Sequence, residues 1–180
     1  MKAESRQNRN NKKSDYNEQQ GGKLLCNELP ELNLPKQELI IREIEGRLFI
    51  FDKIRKKYKR LAPEEWVRQN FLSYLVNSLQ YPEGLIRVEM EIKLNELSKR
   101  CDAVVYGQSG MPLMILEFKA QGIALKQNVF DQAGMYNLKL KVPYLVISNG
   151  LCHYACRVDF EKGKIKFLKS IPTFAEITAG

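Results

Sequence analysis

Asp102, Glu117 and Lys119 are the residues of this chain whose types and spacing could do chemistry. They fall in two apolar runs, Lys-Arg-Cys-Asp-Ala-Val-Val-Tyr from Lys99 and Met-Pro-Leu-Met-Ile-Leu-Glu-Phe-Lys from Met111, joined by a Gly-Gln-Ser-Gly turn. Such a pair of runs reads as a β-hairpin. Side chains along a strand alternate between faces. Leu113, Ile115, Glu117 and Lys119 are therefore expected on one face, and Met114, Leu116 and Phe118 on the other. Two carboxylates and one ammonium then converge at one end of a buried hairpin. Burying charge is costly unless it is paired or binds metal, so the cluster reads as a site. Its two carboxylates are hard oxygen donors of the kind that suit Mg²⁺ or Mn²⁺.

Several elements must position these groups. Residues 63–80 predict a helix, with Pro63 in its first turn. At 100° per residue, Val67, Phe71, Leu72, Tyr74, Leu75 and Leu79 form an apolar arc. Glu64 and Arg68 fall mid-arc, spaced to pair on one side, and are expected to face the sheet. Glu65 falls at the edge of the arc and reads as a first-turn acid favoured by the helix dipole. Residues 86–94 alternate as a half-exposed strand. Residues 125–141 predict a second helix, with Val129, Gln132, Tyr136 and Lys139 along one side. Residues 143–148 are apolar throughout and predict a central strand. Residues 151–157 and 164–168 predict strands towards an edge. Upstream, residues 38–52 read as a hairpin turning at Glu45-Gly46. Residues 24–35 read as an irregular wrap. Residues 1–23 are too polar to build a core and predict a disordered basic tail. The organisation expected is that tail followed by a single domain over residues 24–180.

The chain has 180 residues and a formal net charge of +8, with 44% hydrophobic and 28% charged residues. That is the composition of a soluble domain with a real core, and the charge suits a polyanionic partner. No run is long enough to span a membrane and no secretory signal opens the chain, so a cytoplasmic protein is expected. Lys53, Arg55, Lys56, Lys57, Lys59 and Arg60 cluster around Tyr58. The cluster reads as a phosphate-contacting patch or as a solvated face. Cys26, Cys101, Cys152 and Cys156 lack the paired spacing of a zinc site and read as structural. His153 is the only histidine, which excludes histidine-rich sites. No Walker-type phosphate loop is present.

An acid on one strand followed by acid, any residue and lysine on the next resembles the PD-(D/E)xK nuclease superfamily. Pro63-Glu64-Glu65-Trp66-Val67-Arg68-Gln69 precedes this hairpin. Gln132-Ala133-Gly134-Met135-Tyr136 and Val146-Ile147-Ser148-Asn149-Gly150 follow it. Together, over about residues 48–150, they resemble the N-terminal nuclease domain of type I restriction enzyme R (motor) subunits. The resemblance implies an α/β fold of restriction-endonuclease type: a mixed sheet of αβββαβ order flanked by helices, here with an N-terminal β-hairpin extension. It implies a Mg²⁺- or Mn²⁺-dependent endonuclease acting on DNA. The metal would be held by Asp102, Glu117, the backbone carbonyl of Phe118 and, through water, Glu64. Lys119 would orient the attacking water or stabilise charge. Gln132 and Tyr136 would support the site, and restriction-modification or helicase subunits would be partners. Asp102 follows cysteine rather than proline, which leaves the ligand in place. Two other readings stay open: a non-catalytic nucleic-acid-binding module of the same fold, and a repair or resolvase-type nuclease. Taken singly, Asp102 beside Arg100 also reads as a strand-edge ion pair, Lys119 as a solvated strand end, and Tyr136 as core.

Overall fold

The computed structural model describes residues 29–94 and 97–179, so the tail expected over residues 1–23 lies outside the described residues. The fold is mixed α/β, built on two sheets. Strands β1 (Ile41–Ile44), β2 (Arg47–Asp52) and β3 (Lys57–Arg60) form a small antiparallel sheet. Helix α1 (Pro63–Asn77) leads, through a single 3-10 turn, to β4 (Ile86–Leu94), β5 (Leu97–Tyr106) and β6 (Pro112–Phe118). Helix α2 (Gln127–Leu140) then precedes β7 (Tyr144–Ser148), β8 (His153–Asp159), β9 (Lys164–Phe167) and a short α3 (Phe174–Thr178). The six strands β4 to β9 lie in sequence order. Every neighbouring pair is antiparallel except β6 and β7. A parallel pair needs a crossover, and α2 supplies it.

The N-terminal extension holds the expected hairpin, and the basic run, readable as a loop or an irregular strand, adds a third strand. The hairpin turns at Glu45 and Gly46, both at positive φ (51° and 70°), a geometry matched to the twist of a tight hairpin. The basic run then returns as β3, with Phe49 opposite Arg60 and Asp52 opposite Lys57. Alternating lysines and a tyrosine pair well enough with an open strand edge.

The core has two sides. Val67, Phe71, Leu72 and Leu75 of α1 pack with Ala103, Val105, Met114, Leu116, Phe118, Tyr144 and Val146 on one face of the large sheet. On the other face, Tyr136 packs with Val104, Ile115 and Leu145, and Val129 and Ala133 pack with Ile147. Strand β7 is buried at every position, as a strand covered by helices on both faces must be. At the C-terminal end of α2, Lys141 turns left-handed. The buried Asn137 amide donates to the Val142 carbonyl and accepts from the Val142 N–H, which stops the helix and starts the approach to β7.

Residues 29–37 run irregularly across the ends of α1 and β7. The Trp66 indole donates to the Pro30 carbonyl, and the Asn33 N–H donates to the Gly150 carbonyl. His153 Nε2 lies 2.7 Å from the Asn33 carbonyl, which makes it the N–H nitrogen, so Nδ1 accepts from the Ser148 hydroxyl. Gly150 sits at φ +83°, and a Cβ there would lie 2.7 Å from Leu32 Cδ2 and 3.1 Å from Val67 Cγ2. Both the backbone conformation and the close approach require glycine. Gly150→Ala is therefore expected to destabilise the fold by about 1–3 kcal/mol, measured as a lower urea midpoint.

Candidate functional site

The site is built where β5 and β6 separate. Their ladder ends at Ala103 and Leu116. Asp102 and Glu117 are the next residues along each strand. Leu116 and Phe118 pack on the α1 side and Ile115 on the α2 side. Glu117 and Lys119 therefore face α2, as the alternation predicts. Asp102 behaves differently. Ala103 and Val105 belong to the α1 side, yet Cys101 packs with Val104 on the α2 side. Strict alternation thus slips at Asp102. On the neighbouring strand Glu89, between Val88 opposite Ala103 and Met90 opposite Cys101, has φ 51°. A non-glycine residue held there is strained, and such strain gathers at functional sites.

The two carboxylates are consequently held by different helices. Asp102 Oδ1 accepts from Arg68 Nη2 of α1 at 2.5 Å, and Oδ2 accepts from the Phe118 N–H at 2.7 Å. That last bond replaces the strand pairing lost at this point. Glu117, only 2% exposed, is held from α2. Its Oε1 accepts from the Lys119 ammonium at 2.7 Å and from Gln132 Nε2 at 2.6 Å. Gln132 also donates to the Tyr136 hydroxyl, and Tyr136 donates to the Arg100 carbonyl, each at 3.0 Å. Gln132 Oε1 lies 3.5 Å from Lys119 Nζ. The spacing of Gln132 and Tyr136 on one helix side thus has a physical role: the tyrosine fixes the amide, and the amide fixes the acid. Glu117 Oε2 is buried and has no hydrogen-bond partner among the described residues.

Helix α1 corrects one expectation. Glu65, not Glu64, is the buried first-turn acid, at 5% exposure. Its oxygens accept from Arg55 Nη2 (3.1 Å), Arg68 Nη1 (2.5 Å) and Gln69 Nε2 (2.8 Å). Glu64 is half exposed and accepts from Arg68 Nη2 at 3.1 Å. The arc calculation omits what lies beside the helix. Arg55, arriving from the β2–β3 turn, gives the edge position a cation and draws Glu65 inward.

Arg55 is also placed differently from the rest of the basic patch. Its side chain is 11% exposed and ion-paired with Asp52, Glu65 and Glu89. Lys53, Lys56, Lys57 and Arg60 are exposed, and Lys59 lies 3.8 Å from Glu89. Tyr58 is covered by the Arg42 guanidinium, 4.7 Å above its ring, and by Phe51. Asp52, Glu65 and Glu89 were not legible as site residues. Glu89 reads from its strand as an ordinary outward acid, and Asp52 as a strand end.

The charges in this centre act on one another. Burial, then the Asp102 charge, pushes the Glu117 carboxyl up to about 7, against the pull of Lys119. Burial and Asp102 likewise raise Glu64, against Arg68 and Lys119. Burial disfavours the Lys119 ammonium, but the Glu117 carboxylate, with Asp102 and Glu64 behind it, outweighs this and raises its pKa. Lys119 is therefore a cationic donor, not a base. Glu64, Asp102, Glu117 and Lys119 thus share one electrostatic centre. No group of three or more His, Cys, Asp or Glu side chains is already arranged around a metal position among the described residues. The donor chemistry nonetheless fits a hard cation: oxygen ligands, and one buried carboxylate oxygen left without a partner.

A carboxyl raised from 4.5 to about 7 keeps its proton in the folded state while the unfolded chain loses it. Stability then falls as pH rises through that window, and the cost is complete above it. In chelator-treated protein, Glu117→Gln should remove this slope. Its melting temperature relative to wild type should rise between pH 5 and pH 8, by the equivalent of a few kcal/mol. A constant difference across that range would contradict the placement of the charge.

Comparison with known proteins agrees with the resemblance. The family model described as the type I restriction enzyme R protein N terminus (HSDR_N) matches residues 63–172. A solved fragment described as the HsdR subunit of a type I restriction enzyme from Vibrio vulnificus YJ016 is 21% identical, with a TM-score of 0.38. The match covers 61% of this chain and 22% of that one, so this chain spans about a fifth of that fragment's length. No curated protein matches. The matched segment runs from the first residue of α1 past β9 and takes in Asp102, Glu117, Lys119, Gln132 and Tyr136, and the chain belongs to the family of type I restriction enzyme R protein N-terminal domains.

Proposed function

We propose that this chain is a divalent-cation-dependent endonuclease domain of the PD-(D/E)xK type that hydrolyses DNA phosphodiester bonds. The observation that carries the proposal is the Glu117 carboxylate: buried, raised in proton affinity, held through one oxygen by Lys119 and Gln132, and unpartnered at the other among the described residues. A folding role alone does not call for a buried acid with a spare oxygen. Asp102, Glu117, the Phe118 backbone carbonyl and, through water, Glu64 would hold Mg²⁺ or Mn²⁺. That ion supplies charge for the phosphoryl transition state and an acidified water. Lys119 donates to the developing charge or to the attacking water. Gln132 keeps Glu117 and Lys119 in register, and Tyr136 keeps Gln132. Lys53, Lys56, Lys57 and Arg60 contact phosphates. The family supports DNA as substrate and the other subunits of a restriction-modification complex as partners. No described helix is long and apolar enough to cross a membrane.

One observation favours a second reading. Both Asp102 oxygens are already engaged, by Arg68 and by the Phe118 N–H. A domain that binds DNA without cutting it would have the same arrangement. Alanine at Asp102, Glu117 or Lys119 separates the two. On the catalytic reading, each abolishes Mg²⁺-dependent cleavage of duplex or branched DNA and leaves DNA affinity within about threefold. Gln132→Ala gives a partial loss, of about 10- to 100-fold. Wild-type protein that binds DNA and Mg²⁺ but cuts no linear, branched or single-stranded substrate selects the binding reading.

Phosphate contacts release counterions, so affinity should fall linearly in log–log form as salt rises. Charge reversal at Lys56 and Lys57 together should weaken binding to all sequences and flatten that slope. An unchanged slope in a filter-binding titration would make the patch a solvated face.

A further inference from the structure

Arg68 occupies an unusual position for a helix arginine. Its side chain is 6% exposed. The nitrogen Nη2 reaches Glu64 Oε1 at 3.1 Å and Asp102 Oδ1 at 2.5 Å, so a single donor atom joins a helix carboxylate to a strand carboxylate. Nη1 reaches Glu65 Oε2 at 2.5 Å. Its Nε is buried with no hydrogen-bond partner among the described residues. The same centre therefore holds an unused buried donor, Arg68 Nε, and an unused buried acceptor, Glu117 Oε2. Buried polar atoms are normally partnered, so neither is the mark of a finished structural ion pair.

We propose that Arg68 is the resident counter-cation of the acidic centre: it carries the charge of Glu64 and Asp102 until a divalent cation takes up Asp102. This rests on the metal-dependent reading above. Glu64 and Asp102 both accept from Arg68 Nη2, so two carboxylates from different elements meet on one internal cation. Lys119 serves Glu117 and Arg68 serves the α1 side. A divalent cation held by Asp102 and Glu117 meets the Arg68 guanidinium as a like charge competing for the same carboxylate. Arg68 then stabilises the cation-free protein and weakens cation binding. An arginine that merely shaped Asp102 for the metal would do the opposite to affinity.

The probe is Mn²⁺ alone, with melting temperature and calorimetric affinity measured on wild type, Arg68→Gln and Arg68→Lys, each first stripped with chelator. Arg68→Gln should melt lower than wild type without Mn²⁺, regain most of that loss with it, and bind Mn²⁺ about tenfold more tightly. Arg68→Lys keeps the charge but not the fork that spans three carboxylates, so its Mn²⁺-induced gain should lie between the two. It also provides the comparison if Arg68→Gln does not fold without the ion. Equal Mn²⁺-induced gains in wild type and the variants, or weaker Mn²⁺ binding in the variants, overturn the counter-cation role and leave the metal site standing. No Mn²⁺ binding by any of the three overturns the metal reading itself, and this inference with it.

Discussion

The structure depends on the matching of buried charge. Asp52 is fully buried, and Glu65 and Glu117 nearly so, beside a core built mainly of apolar side chains. Each acid out of water must meet a cation or several donors. The consequence is a continuous chain of ion pairs: Asp52 to Arg55, Arg55 to Glu65, Glu65 to Arg68, and Arg68 to Asp102, which ends on the Phe118 N–H. That chain passes through the small sheet, α1, β5 and β6. The small sheet shares no strand pairing with the large one, so these charges and the packing around them fix its orientation. Removing one member leaves its partner buried and unpaired, which costs more than the pair itself contributes.

The α2 side solves the same problem with one cation and a set of neutral groups. Glu117 receives one ammonium and one amide, and the amide is held by a phenol that is itself anchored on a backbone carbonyl. Two helices therefore help to set the two carboxylates, α1 through the Arg68 ion pair and α2 through a hydrogen-bond relay that adds to the Lys119 ion pair. The crossover between β6 and β7 brings α2 back over β6, so the parallel pair is what lets a residue fifteen positions after Glu117 reach it. Clustering acids in this way works against folding. Sites that need mutually repelling groups commonly reduce stability, and the proton affinity of Glu117 is raised by its burial first and by the Asp102 charge second.

Much of this was legible in the sequence because periodicity reports burial. The alternation through β6 places Glu117 and Lys119 on one face, and the helical spacing of Gln132 and Tyr136 places both on one side of α2. The apolar run of residues 143–148 becomes the buried β7. Three features were not legible, for one shared reason. The preference of Glu65 over Glu64 for the interior depends on Arg55, ten residues upstream. The slip of alternation at Asp102 depends on the strained backbone of Glu89 on another strand. Arg55 reads as one more surface cation among lysines, and only the fold shows Asp52, Glu65 and Glu89 around it. Periodicity says which face a residue takes when neighbours are apolar. It carries no information on which distant charge will meet it. The short α3 is a local matter: five residues set by a capping box between Thr173 and Glu176, too few for a periodic signal.

The withdrawal of Arg55 changes what the basic patch can be. Lys53, Lys56, Lys57 and Arg60 remain on the outer surface of the β2–β3 hairpin, while Arg55 from the same turn reaches inward. Lys56, at φ 52°, stands where the turn reverses direction. The hairpin therefore has two electrostatic ends, one towards solvent and one towards the site. Through Arg55 and Lys59 it grips Glu89, the strained residue beside Asp102. On the proposed function, a phosphate backbone held by the outer lysines would be fixed relative to Asp102 by side-chain ion pairs rather than by a covalent strand. Ion pairs of this kind are stiff when buried and lose their hold when hydrated. The geometry between DNA contact and cleavage centre then depends on keeping water away from Arg55, and its low exposure is what the packing of Asp52 and Glu65 against it achieves.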